Sequence, residues 1–423
     1  MNKRPTQKQI EFLDWEFGAF FHFGIRTFFP GHRNWDDKPM DASAFNPDRL
    51  DCDDWIKTVR DAGARYAILV CKHHDGFANW PTKYSDYSVA NSPWKDGKGD
   101  VVREFTDACR KYGLKIGLYY SPAQWGGQVA FENGKAYDDY FIHQITELLS
   151  NYGKIDYLWF DGCGSEKHEY DRKRIIQTIR SLQPEILIFN MWDPDTAWVG
   201  NEDGLAPMFN SNRRDAVDFS VMTTEREALS ERLYLPAECD CRMRSEWFDC
   251  GPGEETVKTV DELIGMYEMS VGRGANFLLN IGPDRRGQLP APDKRRVLEF
   301  GEEVRRRYGT PCPEFGEMKE ENGEWFIQTD EFMGPKWEAH RQPLVDRVIL
   351  REDLLSGGEV RAFRIYAHLP GYHPNRICVY KGDTIGHKAI CTFPAIRTSK
   401  LTVSVESGEG DYRLTDMKAY RVK

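Results

Sequence analysis

Residues 156–162 read DYLWFDG, and the reading of this stretch decides the fold. Apolar and aromatic residues lead to a single carboxylate, Asp161, with a glycine directly after it. A buried strand that hands a reactive group to a pocket at its C-terminal end has this form. An Asp before a Gly also caps helices and opens turns. The stretch alone leaves both readings open, and its neighbours decide between them.

Outward from it, strand-like and helix-like runs alternate. GAFFHFG (18–24), RYAILVCKHHDG (65–76), KIGLYYSP (115–122) and ILIFNMW (186–192) read as buried strands. Between them DCDDWIKTVRDAG (51–63), VVREFTDACRKYG (101–113), residues 137–152 and RKRIIQTIRSLQP (172–184) read as helices, several with Gly or Pro stops. The pattern loosens through WVGNEDG (198–204) and LYLPAECD (233–240). It resumes with a helix at 259–271, the strand NFLLNIGPD (276–284) and a charged helix at 293–308. With WVGNE as a short sixth strand there are eight strands alternating with helices, which requires parallel pairing with right-handed crossovers. No Gly-rich phosphate loop follows the first strand, and polar groups recur at strand C-termini. Both features favour an α/β fold of the (β/α)8-like TIM-barrel type over a doubly wound sheet.

After Pro313 the period changes to two. EWFIQTD, VDRVILRE, EVRAFRIYAH, RICVYKGD, KAICTFP and KLTVSVES alternate apolar and polar residues between turn residues. That predicts a C-terminal all-β sandwich. The expected domains are a catalytic barrel over 1–312 and a sandwich over 313–423.

The composition narrows the function. Of 423 residues, 40% are hydrophobic and 13% aromatic, enough for a large core and for aromatic clefts that suit sugar faces. With 57 basic and 67 acidic residues the net charge is −10, which argues against nucleic acid as a partner. The N-terminal MNKRPTQKQIEFLDWEF has no signal-peptide-like apolar run, and no window is apolar enough to span a membrane, so a cytoplasmic location is expected. The ten cysteines form no CxxC pair and read as buried reduced thiols; Cys239, Cys241 and Cys250 match no structural zinc spacing.

The strand ends carry His22; then His73, His74 and Asp75; then Tyr119, Tyr120 and Trp125; then Trp159 and Asp161. Asn190 and Trp192, Asn201 and Glu202, and Glu238 and Asp240 follow. Each has an ordinary structural explanation. In an extended strand His73 and His74 point to opposite faces, so at most one faces the barrel axis without a kink. Recurrence at equivalent positions is what makes a polyhydroxylated ligand the natural guest.

GAFFHFG, NW (34–35), CKHHDGF, GLYYSPAQW, DYLWFDG, VGNEDG and GANFLLNIGPDRRG follow in the order seen in α-L-fucosidases of glycoside hydrolase family 29, which the chain resembles over residues 12–308. The resemblance implies a (β/α)8-like barrel with a C-terminal β-sandwich. It also implies retaining hydrolysis of terminal α-linked L-fucose from oligosaccharides or glycoconjugates, with no metal and no organic cofactor. Asp161 matches the nucleophile. The second carboxylate that such chemistry needs is Glu202, in a motif resembling that of the α-1,3/1,4-specific branch, with Glu238 as the alternative. His22, Trp35, His73, His74, Tyr120 and Trp159 match positions lining the fucose site. Two features depart from the family. Asn34-Trp35 replaces its usual Glu-Trp pair, and NMWDPD lacks an arginine that some relatives carry.

In this scheme Asp161 stays ionised, and Glu202 holds a proton because Asp161 and its surroundings raise its pKa. Two other classes make distinct predictions. A metal-dependent barrel hydrolase using His22, His73, His74 and Asp161 would lose activity with chelator. A non-catalytic carbohydrate-binding protein would bind sugar without turnover. Oligomeric state is not legible.

Overall fold

The computed structural model describes residues 4–31, 39–125, 131, 133–165, 168–218, 226–249, 251, 256–330, 340–369 and 375–422. Helix α1 (Gln7–Trp15) precedes the barrel, its first turn closed by a Thr6/Gln9 capping box. The barrel opens with β1 (Phe17–Phe21), α2 (Cys52–Ala62), β2 (Tyr66–Lys72), α3 (Val101–Tyr112) and β3 (Lys115–Tyr120). It continues with α4 (Gly134–Asn151), β4 (Tyr157–Phe160), α5 (Arg172–Leu182), β5 (Leu187–Phe189) and β6 (Ala197–Trp198). A hairpin of β7 (Arg213–Asp218) and β8 (Arg226–Tyr234) comes next. The unit is completed by β9 (Ala237–Arg242), α6 (Val260–Ser270), β10 (Ala275–Asn280) and α7 (Ala291–Tyr308). Asp51, Asp100 and Asp171 accept N–H groups of the first turns of α2, α3 and α5, and the expected Gly stops Gly63 and Gly113 end α2 and α3 in left-handed conformations.

Eight parallel strands run in the order β5-β4-β3-β2-β1-β10-β9-β6, and a parallel bridge between Phe189 and Thr196 joins the two ends of the sheet. The expectation of strict strand–helix alternation fails in two places. Among the described residues no helix separates β5 from β6, and the β7–β8 hairpin stands where a helix would lie between β6 and β9. Reduced apolar periodicity over 198–234 is the sequence counterpart of this insertion. No helix among the described residues is long and apolar enough to cross a membrane.

The barrel interior is filled by Phe20, Tyr66, Ile68, Val70, Tyr119, Tyr157, Trp159, Phe189 and Leu278. Small residues make room for these rings: a Cβ at Gly18 would lie 2.3 Å from the Tyr66 ring.

Beyond α7 come β11 (Lys319–Glu321), β12 (Glu324–Gln328), β13 (Leu344–Glu352), β14 (Glu359–His368), β15 (Arg376–Gly382), β16 (Ala389–Arg397), β17 (Lys400–Glu409) and β18 (Leu414–Tyr420). They form antiparallel sheets of order β11-β12-β17-β14-β15 and β16-β13-β18 around one apolar core, the predicted sandwich. It meets the barrel at the N-terminal ends of the strands. Lys388 pairs with Glu16 at 2.7 Å and Arg351 with Glu16 at 3.0 Å, and Ile390 N–H donates to Gly272 O at 3.0 Å. The opposite, C-terminal rim is left to the loops that carry the polar residues.

Candidate active site

Alternation along each strand sorts side chains between barrel interior and helical layer. On β4, Tyr157 and Trp159 face inward and Leu158 and Phe160 outward, so Asp161, one residue past the strand, turns toward the interior. On β3, Tyr119 faces inward and Tyr120 outward. Tyr120, expected at the sugar site, does not reach it: its hydroxyl donates to Gln144 Oε1 of α4 at 2.7 Å, and its ring packs on Phe141. Tyr119 takes that place.

On β2 the phase slips. Tyr66, Ile68 and Val70 point inward and Cys71 outward, and an irregularity in the pairing with β3 falls between Val70 and Lys72. Lys72 therefore also lies on the outer side, its ammonium 4.4 Å from the Tyr120 ring centroid and 3.2 Å from Gln124 Oε1. The slip turns His73 inward, and His74 follows after the strand has ended. Both histidines thus reach the site, the irregularity supplying the kink that an extended strand would need. Their ring centroids are 4.4 Å apart.

Asp161 is held from three sides. Tyr119 O–H donates to Oδ2 at 2.7 Å, His74 Nε2 lies 3.2 Å from Oδ2, and the Cys163 N–H donates to Oδ1 at 2.9 Å. Burial pushes this carboxyl up, but His74 and the two donors outweigh it and hold it below the usual carboxylate range. Its side chain keeps 25% exposure, so it is an anion open to a ligand. His74 is itself fixed: its Nδ1 lies 2.5 Å from Ser121 Oγ, which donates to Ala123 O at 2.7 Å, and its Nε2 faces Asp161.

His22 follows β1. Its Nδ1 donates to Asn280 Oδ1 at 2.7 Å, while Asn280 Nδ2 donates to Trp247 O at 2.7 Å, which fixes both the amide and the imidazole tautomer. Burial drives the His22 pKa down to about 3, so a neutral ring offers Nε2 as an acceptor. His73 stacks on Tyr119 with planes 7° apart, and burial holds it neutral as well. Its Nδ1 is buried without a partner among the described residues, a group awaiting a ligand hydroxyl. Trp159 lies between Tyr119 and Phe189, ring centroids 5.4 and 4.2 Å away, and closes the interior beneath the site.

The two glutamates occupy different environments. Glu202 lies in the loop after β6 at φ 67°, a left-handed conformation uncommon for a residue with a Cβ and a form of strain that gathers at functional sites. Gly204 N–H donates to Asp240 O at 3.0 Å, seating this loop on β9. Its side chain is 26% exposed, with Arg242 4.0 Å away. Burial first, then the charges of Asp240 and Asp161, raise the Glu202 pKa to about 7. The field of Asp161 thus reaches Glu202. Glu238 is 1% exposed inside the barrel. It accepts from Tyr66 O–H at 2.5 Å, Trp159 N–H at 2.9 Å and Tyr157 O–H at 3.3 Å. Its oxygens are saturated by the wall beneath the pocket. Asp240, its neighbour but one, accepts from the Trp198 indole at 2.8 Å, and burial lifts it to about 6.

Trp35 and the neighbouring Asn34 lie outside the described residues. Asn190 and Trp192 do not join the site: Asn190 ties β6 to the hairpin, and Trp192 packs outward on Phe160 and Tyr170. Ser121, Trp247 and Asn280 were not named as site residues from sequence, and Tyr119 and Asp240, named among the strand ends, were not matched to the fucose site. The phase of β4 relative to β3 points to Tyr119, and Asn280 lies in the quoted GANFLLNIGPDRRG motif; nothing in the sequence around Trp247 signals its position.

On distance alone, ligand atoms of His73, His74 and Asp161 lie within 4.8 Å of one another, close enough for a metal ion. Their bonding suits a different task. Both His74 nitrogens already face oxygens, and both Asp161 oxygens accept from protein donors. The donor set is organised around an anion with the neutral rings of His22 and His73 near it, as hydroxyl recognition next to a nucleophilic or stabilising carboxylate requires.

Known proteins carry the same arrangement of chain. A rumen-bacterial glycoside hydrolase 29 family member superposes with a TM-score of 0.86 at 29% identity, covering 100% of this chain and 78% of its own. Alpha-L-fucosidase 1 of Arabidopsis thaliana is 35% identical over 309 residues, 70% of this chain and 60% of the relative. Mouse tissue alpha-L-fucosidase is 26% identical over 313 residues, 67% of this chain and 60% of that one. The chain thus spans about three fifths of the length of these two relatives. The family model described as alpha-L-fucosidase matches residues 1–307, nearly the whole barrel unit, and the chain belongs to the α-L-fucosidase family.

Proposed function

We propose that this chain is a retaining exo-α-L-fucosidase that releases terminal L-fucose, preferentially α-1,3/1,4-linked, from branched oligosaccharides or glycoconjugates. The observation that carries the reading is the contrast between two carboxyls sharing one field: Asp161 is held ionised, while Glu202 is pushed up to about 7. Two groups driven apart in this way divide the work of nucleophile and acid. The names of the relatives support the glycon, and VGNEDG supports the branch.

In the first step an Asp161 oxygen bonds to the anomeric carbon as the bond to the leaving oxygen breaks, and Glu202 gives that oxygen its proton. Asp161 loses its charge in the ester, so the field that kept Glu202 protonated weakens. Glu202 then takes a proton from water, whose oxygen bonds to the anomeric carbon and frees Asp161. Two inversions give retention. Neutral His22 and His73 accept hydroxyl protons, and His74 orients Asp161. Residues 1–312 form the catalytic domain in this reading, and 313–423 brace it from the far end of the barrel.

The test is hydrolysis of an aryl α-L-fucoside and a panel of fucosylated di-, tri- and tetrasaccharides, with the product anomer followed by NMR. Retention with faster cleavage of branched substrates is expected. Inversion, or turnover that survives Asp161→Ala, would overturn it.

A further inference from the structure

We propose that the outer wall of the barrel carries a second ligand site, distinct from the catalytic pocket, that takes a carboxylate-bearing sugar. A cavity of about 300 Å³ lies between the segment after β6 and the β7–β8 hairpin, lined among others by Phe209, Asn210, Arg213, Arg214, Asp215 and Arg226. Its inner boundary is Val199, which packs with Ala206, Ala237 and Cys239 on the outer side of β6 and β9, while Glu238 and Asp240 point to the interior.

The charges of the lining are unequal. Arg213 is paired with Glu359 at 3.5 Å and Arg226 with Asp218 at 2.9 Å. Arg214 has no carboxylate within ion-pair distance among the described residues. Its Nη2 donates to the neutral Asn210 Oδ1 at 3.2 Å, and its buried Nε has no acceptor. A guanidinium stays protonated at neutral pH, and a half-buried one with no carboxylate in ion-pair reach among the described residues is poised for a planar oxyanion. With Asp215 also in the lining, the one arginine outside an ion pair suits a single negative charge rather than a phosphate dianion. Phe209 adds the other half of the recognition. The residue is 48% exposed, with the Arg361 guanidinium 5.1 Å from its ring centroid, and it offers an apolar surface at the cavity edge. A carboxylate at Arg214 and a pyranose face on Phe209 describe an acidic sugar, and the volume holds one ring.

The experiment is saturation-transfer NMR on the full chain with N-acetylneuraminic acid, galactose and acetate as separate probes, repeated with excess fucose. Saturable binding of N-acetylneuraminic acid that fucose does not displace is expected, with galactose silent. R214Q should weaken it by about tenfold or more, as loss of a charge-assisted bond predicts. F209A should weaken the sugar without altering any acetate binding, and both variants should keep wild-type aryl-fucoside hydrolysis. No saturable binding, displacement by fucose, or equal binding of galactose would overturn the proposal. Phe209 is exposed and its truncation does not threaten the fold, so unchanged binding in F209A overturns it even if R214Q fails to fold.

Discussion

Tyr119 donates its phenolic proton to Asp161 Oδ2 across 2.7 Å, linking two neighbouring barrel strands at their C-terminal ends. The adjacent Tyr120 is spent on Gln144 in the helical layer. Two tyrosines side by side in sequence therefore separate into a site residue and a packing residue. Tyr119→Phe should cut kcat/KM for an aryl fucoside roughly tenfold to a hundredfold, as loss of a hydrogen bond to a charged group does. It should also move the acidic limb of the pH profile upward, because Asp161 loses a donor that favours its ionised form. Tyr120→Phe should cost about 1 kcal/mol of stability in denaturant melts and leave hydrolysis unchanged.

The two candidate glutamates separate by chemical rescue. Glu202→Ala should lose roughly 10²–10⁴-fold on substrates with poor leaving groups, far less on activated aryl fucosides, and regain rate with azide. Glu238→Ala should show no rescue, because its carboxyl is enclosed by Tyr66, Tyr157 and Trp159. Rescue of the second variant but not the first would reverse the assignment.

The pH profile should be bell-shaped. Asp161 is held below the usual carboxylate range, so the acidic limb lies where it protonates; Glu202 must carry its proton, so activity falls as pH rises through about 7. After burial, Asp240 is the largest influence raising Glu202. Asp240→Asn should shift the alkaline limb to lower pH and reduce kcat at pH 7. A profile identical to wild type would remove Asp240 from this role.

Glu238 also sets a stability window. Burial raises its pKa to about 7, with Tyr66, Trp159 and Tyr157 pulling partly the other way. A carboxyl raised on folding is favourable below its unfolded value and loses that advantage as pH climbs through the folded one. The wild-type chain should therefore lose stability between about pH 4.5 and 7, on the order of 3 kcal/mol at most. Glu238→Gln should flatten that slope in urea titrations at several pH values.

Trp125 stands at the rim. It is 39% exposed, its ring centroid 4.6 Å from that of His74, and a Cβ at Gly164 would lie 2.5 Å from it. Such a ring is placed to stack on the sugar next to fucose. Trp125→Ala should lower kcat/KM for branched fucosylated trisaccharides about five- to tenfold, consistent with ~1 kcal/mol of stacking. Aryl-fucoside hydrolysis should change little.

What the sequence determined is local and periodic. Apolar runs and Gly or Pro stops placed most of the barrel strands and helices, the switch to period two placed the sandwich, and DYLWFDG put Asp161 at a strand end. These signals survive without tertiary context because hydrophobic period and cap chemistry belong to single elements. What only the tertiary structure decided is phase and partnership. Whether Tyr119 or Tyr120 faces the interior, and whether His73 and His74 can both do so, depends on β3 pairing across an irregularity in β2, which no window of residues encodes. Glu202 and Glu238 are alike as letters. One lies in a loop turned toward Asp161 and the other under three aromatic donors, because closure of the barrel brings together residues of β2, β4 and β9 that lie 172 and 79 positions apart.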